Sequence, residues 1–250
     1  MYKRQVADYA QPAVAVGLLP SVAGQVSAAL DAQQMDLGTP IVQVLSGMTE
    51  YVRANAVKNP DRRSIMLLAT DGVPDESCTG SADGNVPNTL ENAVKKAGEA
   101  LSGTPSIPTF VIGVGNELGA LDQIASAGGT GKAILIDPTK NVQEAFLQAL
   151  DTVRKTAIPC AYDIPVAETG TLDPAKVNVT YRAGSGRGET FGYVAAADQC
   201  SRAAETGWYF DDARAPKKVV LCPRACERLK ADDLGEINVV FGCARQDVVR

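Results

Sequence analysis

Ser64-Ile65-Met66-Leu67-Leu68-Ala69-Thr70-Asp71-Gly72 is the stretch that decides the fold. Its apolar run has no alternation, which is what a parallel strand covered on both faces requires, and it stops at an Asp-Gly pair. Working outward, Thr109-Phe-Val-Ile-Gly-Val114 and Ala133 to Ile136 read as further strands. Leu90 to Leu101 and Leu118 to Ala127 read as helices between them, and Val142, Ala145, Phe146, Ala149, Leu150 and Val153 line one face of a long helix. Strand and helix alternate, so the expected fold class is α/β with an open, mostly parallel, Rossmann-like sheet.

Upstream of the key stretch, Ile41, Val44, Leu45, Met48, Tyr51 and Val52 recur at helical spacing behind Gly38-Thr39-Pro40, and Pro40 suits a first helical turn. Earlier still, Ala13 to Leu19 reads as a strand, with Ser21 capping a following helix. Met1-Tyr2-Lys3-Arg4-Gln5 joins this segment abruptly and reads as a non-native leader on a truncated chain. Residues 6–157 form the expected first domain.

At Ile158-Pro159-Cys160 the pattern changes, and residues 158–250 read as a small cysteine-bearing β-rich domain, a sandwich or half-barrel. Its expected strands are Lys176–Arg182, Thr190–Val194, Gly207–Phe210, Val219–Cys222 and Ile237–Phe241, with turns marked by Gly170, Gly184, Gly186 and Gly188, and one short helix from Ala225 to Ala231.

With 250 residues, 45% of them hydrophobic, the chain has material for a full core plus a satellite domain. A formal charge of −5 with scattered Lys and Arg argues against tracking a phosphate backbone, so no nucleic-acid partner is expected. No apolar run approaches the length of a transmembrane helix. The chain has no His, which removes the usual general base and the Ser-His triads, so an enzyme is not the expectation.

A strand ending at Asp71-Gly72 and a helix opened by Gly38-Thr39-Pro40 together resemble the metal-ion-dependent adhesion site of the von Willebrand factor type A (VWA) family. Supporting pieces are Thr109-Phe-Val-Ile-Gly-Val-Gly115, Leu121-Asp-Gln-Ile-Ala-Ser-Ala-Gly-Gly129 and the closing helix around Phe146. The resemblance spans residues 6–157 and implies a divalent cation, Mg²⁺ or else Mn²⁺ or Ca²⁺, held by Thr39 and Asp71. A partner protein or glycan would fill an open position with its carboxylate. The family's Asp-x-Ser-x-Ser loop is missing. The resemblance therefore implies an N-terminally truncated chain that lacks a central strand, with two unpaired strand edges, poor stability and weak or absent metal affinity. Gly207-Trp-Tyr-x-Asp-Asp212 and Leu221-Cys-Pro223 are similar to the carboxyl-terminal regions of secreted bacterial VWA proteins, which implies a periplasmic, cell-surface or extracellular protein.

Other readings stand beside this one. Out of context Asp71-Gly72 is more often a turn than a ligand, and a helix cap is the commoner role for a Thr placed as Thr39 is, a role that can coexist with metal binding. A metal-independent scaffold with a vestigial site is the main alternative. A nucleotide-binding enzyme acting through Gly113, Gly115 and Gly119, with Asp137 as ribose acid, is third, although the glycine spacing is off by one. Asp71 with Asp75 lacks the companions of a phosphoryl-transfer site. Cys78, Cys160, Cys200, Cys222, Cys226 and Cys243 are disulfide candidates, which points to an oxidising compartment, with Cys78 far from the cluster and a candidate free thiol. Cys222-Pro-Arg-Ala-Cys226 with Cys200 and Cys243 is also readable as a zinc site. The Gly207–Asp212 stripe reads as core of the small domain, and Asn178-Val-Thr180 as an incidental glycosylation match inside a strand.

Overall fold

The computed structural model describes residues 6–33, 38–60, 62–78, 86–164, 173–184, 186–203, 205–232 and 234–248. The leader at residues 1–5 and the turn glycine Gly170 fall outside them. The chain divides into two compact units, residues 1–151 and 152–250.

The first unit contains α1 (Val6–Tyr9), α2 (Ala23–Asp31), α3 (Ile41–Lys58), β1 (Met66–Thr70), α4 (Leu90–Ser102), β2 (Thr109–Val114), α5 (Leu121–Ala127), β3 (Ile134–Ile136) and α6 (Val142–Ala157), the last running past the division between units. The three strands form a parallel sheet in the order β1-β2-β3. Because successive side chains alternate between faces, Met66, Leu68 and Val111 fall on one side. There they join Ile41, Val42 and Leu45 of α3, Ala93, Ala97 and Ala100 of α4, and Leu121, Ile124 and Ala125 of α5. Three alanines on one face of α4 permit close approach, and Thr89 caps that helix by accepting from the Asn92 N–H at 3.2 Å. On the opposite face Ile112 and Ile136 pack with Ala149, Ala145 and Phe146 of α6.

That second face is bare over β1, where Leu67 is 38% exposed and Ala69 is exposed. Among the described residues only β2 pairs with β1.

Ala13 to Leu19, expected as a strand, is irregular. Val16, Leu18 and Leu19 are exposed, with no strand paired to them among the described residues, and an apolar run without a pairing partner has no sheet to join. Ser21 does not cap α2: that helix has Val22 at its N-cap without a side-chain bond, while the Ser21 hydroxyl donates to the Leu18 carbonyl.

The second unit contains β4 (Ala161–Asp163), β5 (Val177–Arg182), β6 (Gly188–Tyr193), β7 (Gly207–Phe210), β8 (Lys218–Leu221), α7 (Pro223–Ala231) and β9 (Glu236–Phe241). These strands make one mixed sheet, ordered β4-β8-β7-β6-β5-β9, with β6 and β7 parallel and the other pairs antiparallel. Of the two expected forms, sandwich or half-barrel, the single nearly closed mixed sheet, with α7 against its core, fits the half-barrel.

Trp208 is fully buried, and its Nε1–H donates to the Phe191 carbonyl at 2.9 Å. Phe210 and Tyr193 meet its ring at 5.0 and 5.1 Å between centroids, so the aromatic stripe is core. Asn178 is also buried: its amide donates to the carbonyls of Cys243 and Ala244 and accepts from the Gln246 N–H, which closes it to glycosylation.

Disulfides join Cys160 to Cys226 and Cys200 to Cys222, with Cα separations of 5.5 and 5.4 Å. The zinc reading is corrected by this pairing, because Cys222 and Cys226 belong to different disulfides and hold no thiolate for a metal. Cys243 is a free, exposed thiol just beyond β9, not a disulfide partner. Cys78 ends a short 3-10 turn, Glu76–Cys78. No helix of the described residues is long and apolar enough to cross a membrane.

Candidate functional site at the carboxyl rim of the parallel sheet

All three strands of the first unit run the same way, so the loops that follow them share one rim. Open α/β sheets bind ligands there.

The first loop is set by Gly38, whose φ of +100° lies in the left-handed region that favours glycine. Thr39 follows, half-buried, and its carbonyl accepts from the Ile41 N–H at 2.9 Å. Helix α3 takes Pro40 as N-cap with no side-chain bond, so Thr39 does not act as its cap.

The second loop leaves β1 at Thr70. Its hydroxyl accepts from the Gly72 N–H at 3.2 Å and donates to the Gly72 carbonyl at 2.9 Å, folding the chain tightly around Asp71. Asp71 itself is exposed. A Cβ at position 72 would lie 2.9 Å from the Thr39 hydroxyl oxygen, so the Thr39 hydroxyl rests directly against Gly72. Two residues 32 apart in sequence thus belong to loops in contact. The loop after β2 reaches the same place: a Cβ on Gly115 would stand 3.5 Å from the Asp71 carbonyl oxygen.

Asn88 ties the arrangement together. It is fully buried, its amide donates to the carbonyls of Thr39 at 2.8 Å and Asp75 at 2.7 Å, and its Oδ1 accepts from the Val42 N–H at 2.9 Å. One side chain therefore serves an open donor at the start of α3 and two carbonyls of the rim loops. The Asp75 N–H also reaches the Thr39 carbonyl at 3.4 Å, and Asp75 accepts from the Ser77 N–H at 2.9 Å in a local turn. Sequence reasoning missed Asn88, since nothing local distinguishes it from a loop asparagine.

Chemically the rim presents a hydroxyl oxygen from Thr39 and a carboxylate from Asp71, both suited to a hard cation. Gly72 keeps the space beside the hydroxyl open, because any side chain there would press on Oγ1. Among the described residues no three or more His, Cys, Asp or Glu side chains are grouped to hold a metal.

Gly113 and Gly115 have a packing reason. A Cβ at either position would come within 3.1 Å of the Leu118 side chain, which is buried against the strand end where a pyrophosphate would have to approach. Asp137, after β3, is held below the usual carboxylate range by hydrogen bonds from the Thr139 hydroxyl and N–H.

No protein-family model, curated protein or solved structure matches the chain. Its function is argued from this geometry.

Proposed function

We propose that the first unit is a cation-dependent binding module of the VWA type, in which Thr39 and Asp71 hold a divalent ion that captures a carboxylate on a protein or glycan partner. The observation that carries this reading is the contact of the Thr39 hydroxyl with Gly72, next to Asp71, at the carboxyl end of β1. Mg²⁺ or Mn²⁺ would supply Lewis acidity toward the partner's oxygen. The protein's part is to hold two hard oxygens and to fix their loops through Asn88. Two protein oxygens imply weak binding, with Kd on the order of 10⁻³ M. The two disulfides fit an extracellular or periplasmic setting for this activity.

The test is calorimetric titration of the full chain with Mn²⁺ and Mg²⁺, with and without acetate as a minimal partner. A saturable heat that acetate enhances, and that Asp71→Ala and Thr39→Val both abolish, is expected. Heat that persists in Asp71→Ala, or no heat at all, overturns the reading.

A metal-independent scaffold is the second reading. It is favoured by the way Asn88 itself bonds both rim loops. Under it, Asp71→Ala changes neither metal response nor partner binding.

A further inference from the structure

The second unit has a cavity of about 740 Å³, within the range of small-molecule sites, beside the end of β6. Among the described residues, Tyr193, Val194, Gln199, Arg202, Arg245 and Val248 line it, with Ala195 and Asp247 beside them. Its far side is the segment after β9, which bonds back to β6: the Tyr193 N–H donates to the Gln246 carbonyl at 2.8 Å, and the Val248 N–H to the Tyr193 carbonyl at 3.0 Å. Buried Asn178 holds the same segment through Cys243, Ala244 and Gln246, so the backbone carrying Arg245 is fixed on both sides.

The Arg245 guanidinium carbon lies 3.6 Å from the centre of the Tyr193 ring, and that ring leans on Trp208 and Phe210. Asp247 engages only its Nε–H, at 2.8 Å. A guanidinium has five N–H donors, so the terminal nitrogens keep donors for a ligand. Arg202 has no acidic partner among the described residues. Among the described lining residues, two arginines stand against one aspartate, a balance of one positive charge, framed by the apolar side chains of Val194, Ala195 and Val248. A single uncompensated charge suits a monoanion better than a phosphate dianion, and a planar guanidinium matches a carboxylate's two oxygens.

We propose that this cavity is a second binding site, independent of any metal, for a monoanionic carboxylate attached to an apolar body. Arg202 and the terminal nitrogens of Arg245 hold the carboxylate, the Gln199 amide adds a donor, and the valines receive the apolar part. The source is either a free small acid or the carboxyl terminus of a peptide, both of which present this chemistry.

Trp208 is the protein's one tryptophan and touches Tyr193, so its fluorescence reports on the cavity wall. The full chain is titrated in EDTA, which silences the rim of the first unit, with hexanoate, N-acetylleucine, the neutral N-acetylleucinamide and inorganic phosphate. Amide chemical shifts of Ala195, Gln199 and Val248 serve as a second readout. Saturable binding of one or both carboxylates with Kd on the order of 10⁻³ M is expected, with the neutral amide silent. Arg202→Gln, an exposed substitution, should weaken it roughly tenfold, and Arg245→Lys should do likewise by losing the planar fork. Hexanoate binding alone assigns a free acid, and tighter N-acetylleucine binding assigns a peptide terminus. The proposal is overturned if no carboxylate binds, if the amide binds as well as the acid, if phosphate binds more tightly than both acids, or if neither arginine variant changes affinity.

Discussion

The two units solve the problem of a small core in opposite ways. In the first, among the described residues, β1 pairs on one side only, Leu67 and Ala69 are exposed, and α2 has no buried residue. The second has strands of similar length, but it is cross-linked twice and filled by a contiguous set of rings, Tyr193, Trp208 and Phe210. Packing and backbone pairing hold the first, whereas constraint of the unfolded chain contributes heavily to the second. The difference also separates their sites, since the rim of the first depends on loops held by one asparagine and the cavity of the second on a segment bonded to a stapled sheet.

Reduction should give the largest effect. The disulfides close loops of 66 and 22 residues, which in the chain-entropy account stabilise by about 4 and about 3 kcal/mol respectively. Their combined loss is comparable to the whole stability of a small domain. In reductant, or in Cys160→Ser with Cys200→Ser, Trp208 fluorescence and near-ultraviolet circular dichroism should report an unfolded second unit, while the helical signal of the first persists. If both units melt unchanged after reduction, the contrast between packed and stapled units is wrong.

Asn88→Ala should give the next largest effect, confined to the first unit. It leaves the Val42 N–H without its acceptor and removes the donors that serve Thr39 and Asp75, at a cost of about 2 to 4 kcal/mol. Hydrogen exchange of the Val42 amide should accelerate, and the thermal midpoint of the first unit should fall while that of the second does not. An unchanged Val42 exchange rate would show that the rim loops hold themselves.

What was legible in the sequence follows from where the forces are local. The Met66–Thr70 and Thr109–Val114 strands and helices α3, α4 and α6 carry strong apolar periodicity or continuity, and their positions were read correctly to within a few residues. Ala13 to Leu19 carries the same kind of signal and failed, because a strand exists only with a neighbour and composition does not supply one. Strand β4 has only three residues, Ala161–Asp163, and owes its existence to pairing with β8. The cysteine pairing and the bonds made by Asn88 are properties of the folded chain, joining residues 13 to 66 positions apart. For Thr39 and Asp71 the sequence offered residue types of the right chemistry, and the contact between their loops came from the fold.

The smallest expected effect is on pH dependence, and it again distinguishes the units. In the second unit Asp211 is held below the usual carboxylate range by the Lys218 and Lys217 N–H groups, which donate to it at 2.8 and 2.9 Å. Asp232 is lowered by the Tyr181 hydroxyl, at 2.5 Å, and by the Gly184 N–H, at 2.9 Å. Both carboxylates join separate stretches of chain, whereas Asp137 of the first unit bonds Thr139 and pairs with Lys140, two and three residues ahead. A depressed folded value means that the stabilisation is complete above the unfolded pKa of about 3.9 and disappears as pH falls through the folded value. The second unit should therefore lose stability below about pH 4, and Asp211→Asn with Asp232→Asn should flatten that limb. At the alkaline end the sign reverses. Burial, and then the hydrogen bond to Asp232, push Tyr181 up to about 12, so its contribution holds below the unfolded value of about 10 and is lost as pH rises through the folded one. Urea midpoints followed by Trp208 fluorescence across both limbs test the pair, and an acid limb equally steep in the double variant would place the titrating groups elsewhere.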